Sequence, residues 1–263
     1  MSVTSTIGSF SAILKSSDTS MRIGILQADS VLPQFQPEFG DYPRMIGDVL
    51  TAVDPSLLLR TYDVEHGEYP ADLAECDAYV ITGSRQSVYD PEPWIKTLRQ
   101  FVVLLHERRI PLIGICFGHQ MVAEALGGKT LPAAVGWCVG VHQSRVIRSE
   151  GFMDPPLPVF NLISSHKDQV ARLPEGAVLL AASEQCPCAM YRVGDHILTV
   201  QGHPEFCKPY SRALMTYRET LLGQEKFDAG LASLALPTNE HIIAQWILNF
   251  LRQRCLAPDQ SLA

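Results

Sequence analysis

The sequence lacks the features that mark membrane, nucleic-acid-binding and nucleotide-binding proteins. No apolar run approaches the ~18–20 residues that a helix needs to cross a bilayer, so we expect no membrane partner. Lys and Arg number 21 against 28 Asp and Glu, a net charge of −7, which argues against an extended phosphate-binding surface and a nucleic-acid partner. There is no GxxxxGK[ST] phosphate loop and no metal-ligand constellation above chance, so we expect no cofactor and no metal.

The cysteine pattern favours a reducing compartment. The seven cysteines are an odd number, and no segment has the basic start and clean apolar stretch of a signal peptide. We therefore expect a cytoplasmic protein. Residues 1–20 contain seven Ser and three Thr, which is typical of a flexible tail. We expect residues 21–255 to form a single catalytic domain.

Strand and helix patterns alternate through the first half of the chain. Apolar runs predict strands at residues 22–28, 57–62, 77–82 and 111–115. Helical spacing predicts helices near residues 45–53, 94–105, 121–126, 209–222 and 240–252. Strands at 139–147, 176–182 and 197–201 follow one another without long helices between them. The pattern predicts an α/β fold, with a mostly parallel central sheet, helices on both faces and a small antiparallel excursion.

One segment has the pattern of a nucleophile elbow. Gly114-Ile115-Cys116-Phe117-Gly118 follows an apolar strand and precedes a helix, in the form G-x-C-x-G. A sharp strand-to-helix turn needs small residues on either side, and the helix N-terminus favours a thiolate over a thiol. A free cysteine is often only a small buried hydrophobe, but this context favours Cys116 as a nucleophile. The pair Cys186-Pro-Cys188 is by itself a weak metal or redox signal.

A base and its orienting group are predicted after a later strand. In Gln201-Gly202-His203-Pro204-Glu205 the histidine and the glutamate are two residues apart, so an extended backbone points both side chains the same way. The Glu205 carboxylate can then hold one ring nitrogen of His203 while the other faces the thiol. We expect His119, beside the elbow, to orient its surroundings rather than act as the base.

These motifs together resemble the triad-type (class I) glutamine amidotransferases, over about residues 22–207. The resemblance is carried by Gly114-Ile-Cys-Phe-Gly-His-Gln120, Gln201-Gly-His-Pro-Glu-Phe206, Ile81-Thr-Gly-Ser84 and Ser165-His-Lys-Asp-Gln-Val170. Stand-alone, GMP-synthase-like members, including γ-glutamyl peptidases, look most similar. The resemblance implies a flavodoxin-like fold. It also implies attack by Cys116 on a γ-carboxamide to form a γ-glutamyl thioester, with His203 as acid and base and Glu205 orienting it.

The resemblance also implies the groups that bind substrate and transition state. The backbone N–H groups of Phe117 and Gly83, together with Ser84, would form the oxyanion hole. Gln120 and the segment Ser165, His166, Lys167 and Asp168 match positions that hold the amino-acid end of the substrate. Ser84 and Lys167 depart from many relatives, and we expect these departures to affect the size of the substrate rather than the type of reaction.

The substrate's amine half remains open at this point, and three functions fit the residues. The chain could be a free-standing hydrolase of a γ-glutamyl amide that releases glutamate and an amine. It could be a glutaminase subunit that supplies ammonia to a separate synthetase, since about fifty residues after the second motif are too few for a synthetase domain. It could also be a catalytically silent binding module, which the intact set Cys116, His203 and Glu205 disfavours.

Overall fold

The computed structural model describes residues 20–255, with side chains up to Gln253. The predicted tail, residues 1–20, lies outside this part of the chain except for its last residue. The helices are α1 (Gln36–Phe39), α2 (Tyr42–Thr51), α3 (Pro93–Glu107), α4 (Phe117–Ala125), α5 (Lys208–Tyr217), α6 (Glu219–Leu222), α7 (Gln224–Ser233) and α8 (Glu240–Cys255). The strands are β1 (Arg22–Gln27), β2 (Leu58–Asp63), β3 (Ala78–Ile81), β4 (Leu112–Ile115), β5 (Lys129–Pro132), β6 (Cys138–Val146), β7 (Val159–His166), β8 (Asp168–Arg172), β9 (Ala177–Ala182), β10 (Met190–Val193) and β11 (Ile197–Val200).

Nine of these strands form one sheet, in the order β2-β1-β3-β4-β11-β10-β9-β6-β7. The five strands from β2 to β11 run parallel, and the remaining four pair antiparallel. Strands β5 and β8 form a separate antiparallel ribbon. The predicted α/β class, with a parallel centre and an antiparallel excursion, is confirmed, and the excursion is built from more strands than the sequence pattern revealed.

The three parallel strands at the centre of the sheet are buried because helices cover both of its faces, whereas the edge strand β2 is largely exposed. Strands β3, β4 and β11 are fully buried, as expected where helices pack on both sides. Helices α2 and α8 pack together over one face, with Trp246 fully buried. Helices α3 and α4 cover the other face around Leu98, Val102 and Met121. None of the helices described is both long and apolar enough to cross a membrane.

Candidate active site

Three neighbouring parallel strands place the residues predicted to be catalytic at one edge of the sheet. Strand β4 pairs with β3 on one side and with β11 on the other, with Ile115 opposite Val200. The carboxyl ends of parallel strands meet at one edge, which is where ligands bind in open α/β sheets. Gly83 follows β3, Cys116 directly follows β4, and His203 follows β11. Residues far apart in the sequence therefore meet in one crevice.

The backbone at Cys116 has the strained conformation of an elbow. Its φ is +52°, in a region that residues other than glycine rarely adopt, and α4 begins at the next residue. The two glycines of the motif are required by close packing. A methyl group on Gly114 would lie 2.6 Å from the carbonyl oxygen of Gly118, and one on Gly118 would lie 2.7 Å from Cβ of Ile81. The cysteine is 5% exposed and lies at the helix N-terminus.

His203 and Glu205 form a buried hydrogen-bonded pair. Nδ1 of His203 lies 2.7 Å from Oε1 of Glu205, while its backbone N–H donates to the carbonyl of Ile163 at 2.8 Å. Burial disfavours the imidazolium, but the Glu205 carboxylate and the Cys116 sulfur outweigh that effect and raise the pKa of His203 to about 10. The ring is therefore held protonated at neutral pH, with Nε2 left without a hydrogen-bond partner among the described residues.

Gly83 lies against both of these side chains. A methyl group built on Gly83 would lie 3.0 Å from Cε1 of His203 and 3.8 Å from Cβ of Cys116, so the three residues surround one small space. Within the described residues, the backbone N–H groups of Gly83 and Phe117 donate to no acceptor. An unpaired N–H at the first position of a helix is available to an anion. Ser84 stands at the rim, where its Oγ accepts a hydrogen bond from the backbone of Gln86 at 3.2 Å.

The predicted substrate-binding residues are mostly engaged with the protein itself. Nε2 of Gln120 donates to the backbone oxygen of Asp168 at 2.8 Å and to Oε1 of Gln201 at 3.1 Å. The buried Asp168 carboxylate accepts hydrogen bonds from the hydroxyls of Ser87 and Tyr89. These contacts rigidify one wall of the crevice.

The segment around Lys167 joins two strands. Ser165 and His166 end β7, and Asp168 begins β8. His166 is buried and bonds to the backbone oxygen of Asp168 at 3.0 Å, and burial lowers its pKa to about 3. Only the side chain of Lys167 is exposed. The polar residues of this segment form strands because neighbouring strands supply hydrogen-bond partners for their backbone groups. Their side chains find hydrogen-bond partners within the protein as well.

Arg218 is a residue that the sequence analysis missed. It stands between α5 and α6, donates to Oγ of Ser165 at 3.0 Å and lies over the ring of Trp137, 5.2 Å from its centroid. Its side chain is half-buried. No motif surrounds it in the sequence, so only the fold reveals that this cation reaches Ser165 at the end of β7.

His119 is buried behind the elbow, away from solvent. Its Nδ1 lies 2.9 Å from Oγ1 of Thr199, and its carbonyl accepts from the hydroxyl of Tyr191 at 2.7 Å. Burial lowers its pKa to about 3, so the ring is neutral at physiological pH. These contacts tie the first turn of α4 to β11 and β10. Within residues 20–253, no group of three or more His, Cys, Asp or Glu side chains is arranged to hold a metal ion.

The family model of the class I glutamine amidotransferases matches residues 42–217, and the chain belongs to this family. A glutamine amidotransferase-like protein of Schizosaccharomyces pombe is 32% identical over 247 residues, covering 87% of this chain and 98% of the relative. Gamma-glutamyl peptidase 3 of Arabidopsis thaliana is 32% identical over 206 residues, covering 74% of this chain and 82% of the relative.

Two further comparisons concern a larger enzyme and the fold. A GMP synthase of Shewanella amazonensis is 35% identical over 105 residues, which are 36% of this chain and only 20% of that enzyme. The crystal structure of a glutamine amidotransferase from Thermotoga maritima superposes with a TM-score of 0.70 at 20% identity, covering 90% of this chain and 98% of the other. The flavodoxin-like fold implied by the sequence motifs is thereby confirmed.

Proposed function

We propose that this protein is a cysteine-dependent amidohydrolase that cleaves the γ-carboxamide bond of a γ-glutamyl amide, releasing glutamate and an amine. The observation that carries the proposal is the convergence of Cys116, His203 and Gly83 on one space, with Glu205 bonded to the far side of the imidazole. Family membership supports an amidohydrolase, and the γ-glutamyl peptidases among the relatives favour a γ-glutamyl substrate.

Acylation uses the sulfur and the imidazolium in turn. The Cys116 thiolate attacks the γ-carbonyl carbon, and the carbonyl electron pair moves onto oxygen. Nε2 of His203 then donates its proton to the leaving nitrogen as the C–N bond breaks. The amine departs, and a γ-glutamyl thioester on Cys116 remains. The Glu205 carboxylate stabilises the imidazolium and holds the ring orientation throughout.

Deacylation reverses the direction of proton transfer. Nε2 of His203 takes a proton from a water molecule, and the resulting hydroxide attacks the thioester carbonyl. The C–S bond breaks, glutamate leaves, and the thiolate–imidazolium pair is restored. In both steps the negative oxygen accepts hydrogen bonds from the N–H groups of Phe117 and Gly83, with Ser84 at the edge, and such a donor is worth about 3–4 kcal/mol where one has been removed in other enzymes.

The amino-acid end of the substrate needs a cation for its α-carboxylate. Arg218 provides one beside Ser165, in a planar guanidinium geometry suited to carboxylates. Gln120, His166 and Asp168 shape the adjoining wall through their internal hydrogen bonds. Lys167 adds an exposed cation for a larger substrate.

The second candidate is a glutaminase subunit that supplies ammonia to a separate synthetase. It is favoured by the similarity of this chain to a segment that makes up 20% of a GMP synthase. The two candidates differ in what the chain does alone. A free hydrolase turns over unaided, whereas a subunit hydrolyses glutamine slowly until its partner activates it. A catalytically silent module would do neither.

The deciding experiment assays the purified chain alone for glutamate release from a panel of γ-glutamyl amides, glutamine included. We expect turnover of at least one peptide-like γ-glutamyl amide well above that of glutamine. Mass spectrometry of the quenched protein should find the Cys116 peptide heavier by one glutamyl residue. Slow hydrolysis of glutamine alone would favour the subunit, and no release with no adduct would overturn both candidates.

A further inference from the structure

The ring of Phe206 lies flat on the imidazole of His203. The two centroids are 3.9 Å apart and the planes are inclined by 15°. Phe206 follows the His203-Pro204-Glu205 segment directly and is 6% exposed. Its aromatic face therefore covers one face of an imidazole that is itself only 4% exposed.

Two tyrosines hold Phe206 in this position. The ring of Tyr42 is parallel to it, inclined by 10° at 6.1 Å, and the ring of Tyr210 meets it edge-on at 4.8 Å. The two tyrosine hydroxyls lie 3.4 Å apart, so each ring is fixed by the other. Helices α2 and α5 thus clamp one aromatic ring against the imidazole.

We propose that Phe206 is a positioning residue for the reaction, whose π-face stabilises the imidazolium form of His203 and fixes the ring plane that aims Nε2 at Cys116. This rests on the proposed function, in which His203 shuttles the proton. The face of an aromatic ring carries negative charge and attracts a cation, most strongly where water is excluded. A neutral imidazole gains less from the same contact, so the stack favours the protonated ring.

Other groups around His203 also act on its charge. Glu205 and the Cys116 sulfur favour the imidazolium, whereas burial opposes it. The pKa of His166, on β7, is lowered mainly by burial and to a smaller extent by the nearby charge of His203. Tyr42 and Tyr210, on α2 and α5, have pKa values raised by burial and stay neutral, while the charges of Asp29 and Arg218 reach both of them. None of these groups presents a π-face at 3.9 Å, so the contribution of Phe206 can be separated from theirs.

The test replaces the ring and then changes only its charge distribution. In the full chain, Phe206→Leu removes the π-face, and Phe250→Leu serves as the control, because Phe250 is 3% exposed on α8 and packs edge-on against Phe152. Singly fluorinated and fully fluorinated phenylalanines, introduced at position 206, keep the ring shape and progressively reverse the charge of its face. The readouts are NMR titration of the His203 ring and the split of kcat from KM.

We expect the His203 titration midpoint to fall by about half a pH unit or more in Phe206→Leu, to fall progressively across the fluorinated series, and to stay unchanged in Phe250→Leu. We expect kcat to drop with KM nearly constant. An unchanged midpoint across the fluorinated series overturns the proposal even if Phe206→Leu unfolds. The NMR titration needs no substrate, so a shifted midpoint in a protein that hydrolyses no γ-glutamyl amide would overturn the proposed function and leave the stack intact.

Discussion

Oε1 of Glu205 lies 2.7 Å from Nδ1 of His203, and Nε2 on the opposite side of the same ring has no partner among the described residues. The carboxylate therefore engages Nδ1 and leaves Nε2 as the ring nitrogen that can exchange a proton with another group. We expect Glu205→Gln to lower kcat/KM by about 10²-fold, because the amide can still orient the ring but supplies no charge. The pKa of His203, raised mainly by Glu205, should fall.

The measurement is the pH dependence of kcat/KM for the best substrate of the panel. Its alkaline limb should move to lower pH in Glu205→Gln. Glu175→Gln, at an exposed position, is the matched control and should leave the profile unchanged. An unshifted profile in Glu205→Gln would assign the orienting role to another group.

Cys116→Ala should abolish hydrolysis, because no other group in the crevice can form the thioester. The variant should lose the acyl adduct as well as turnover. Cys188→Ala is the control, since this cysteine is half-buried in the loop before β10 and carries no proposed role. Residual activity of Cys116→Ala above the background would require a mechanism without a covalent intermediate.

Gly83→Ala tests how tightly the crevice is built. The added methyl group would meet Cε1 of His203 at 3.0 Å, so the imidazole must shift, and small displacements of a catalytic group cost about 10²-fold in rate. Gly151→Ala adds the same group where the nearest atom is 4.0 Å away. We expect kcat to fall only in Gly83→Ala, with the two unfolding free energies similar. Equal activity of both variants would show that the space beside Gly83 is not used.

Much of the site was predictable from the sequence because two short motifs, each tied to the end of an apolar strand, carry the nucleophile and the base. Strands β4 and β11, which are parallel neighbours, bring Cys116 and His203 together, a pairing that the alternating pattern did not specify. The roles of these residues stay predictions. The fold class is confirmed, and so is the family.

Part of the antiparallel half was harder to predict because some of its strands, β7 among them, are not apolar runs. Ser164, Ser165 and His166 interrupt the apolar pattern of β7, yet the strand forms because it pairs along its length with β6. The single helix predicted at 209–222 is wrong, since it breaks at Arg218, where φ is −101° and ψ is 9°. The Arg218 side chain donates a hydrogen bond to Ser165, which is far away in the sequence. Helix propensity depends on local sequence and therefore cannot predict such a contact.

Arg218→Met should raise KM for γ-glutamyl substrates about tenfold or more, because the proposed charge-assisted hydrogen bond to the α-carboxylate would be lost. Met is of similar length and can pack on the ring of Trp137, which limits the structural effect. Arg212→Met, at an exposed position of α5, is the control. A substrate analogue with a neutral α-carboxamide should bind the parent protein and Arg218→Met equally. If KM is unchanged in Arg218→Met, the carboxylate is bound elsewhere.

We expect the buried histidines to give the protein a stability maximum near neutral pH. Burial lowers the pKa of His119 and His166 to about 3 and that of His196 to about 4. Below pH ~6.5 the unfolded chain binds protons that these native rings do not, so stability falls as the pH drops, by at most about 1.4 kcal/mol per pH unit for each ring.

The raised pKa of His203 makes the free energy of unfolding fall as the pH rises above this maximum. Its native pKa of about 10 exceeds the ordinary value of 6.5, so its contribution is complete below pH 6.5 and is lost as the pH rises toward 10. Urea unfolding at pH 5, 6.5 and 8 should show a fall on both sides. His203→Gln should flatten the alkaline side only, while His241→Gln, at an exposed position, should change neither. A decline between pH 6.5 and 8 that is as steep in His203→Gln as in the parent would mean that His203 is not held protonated in the native crevice.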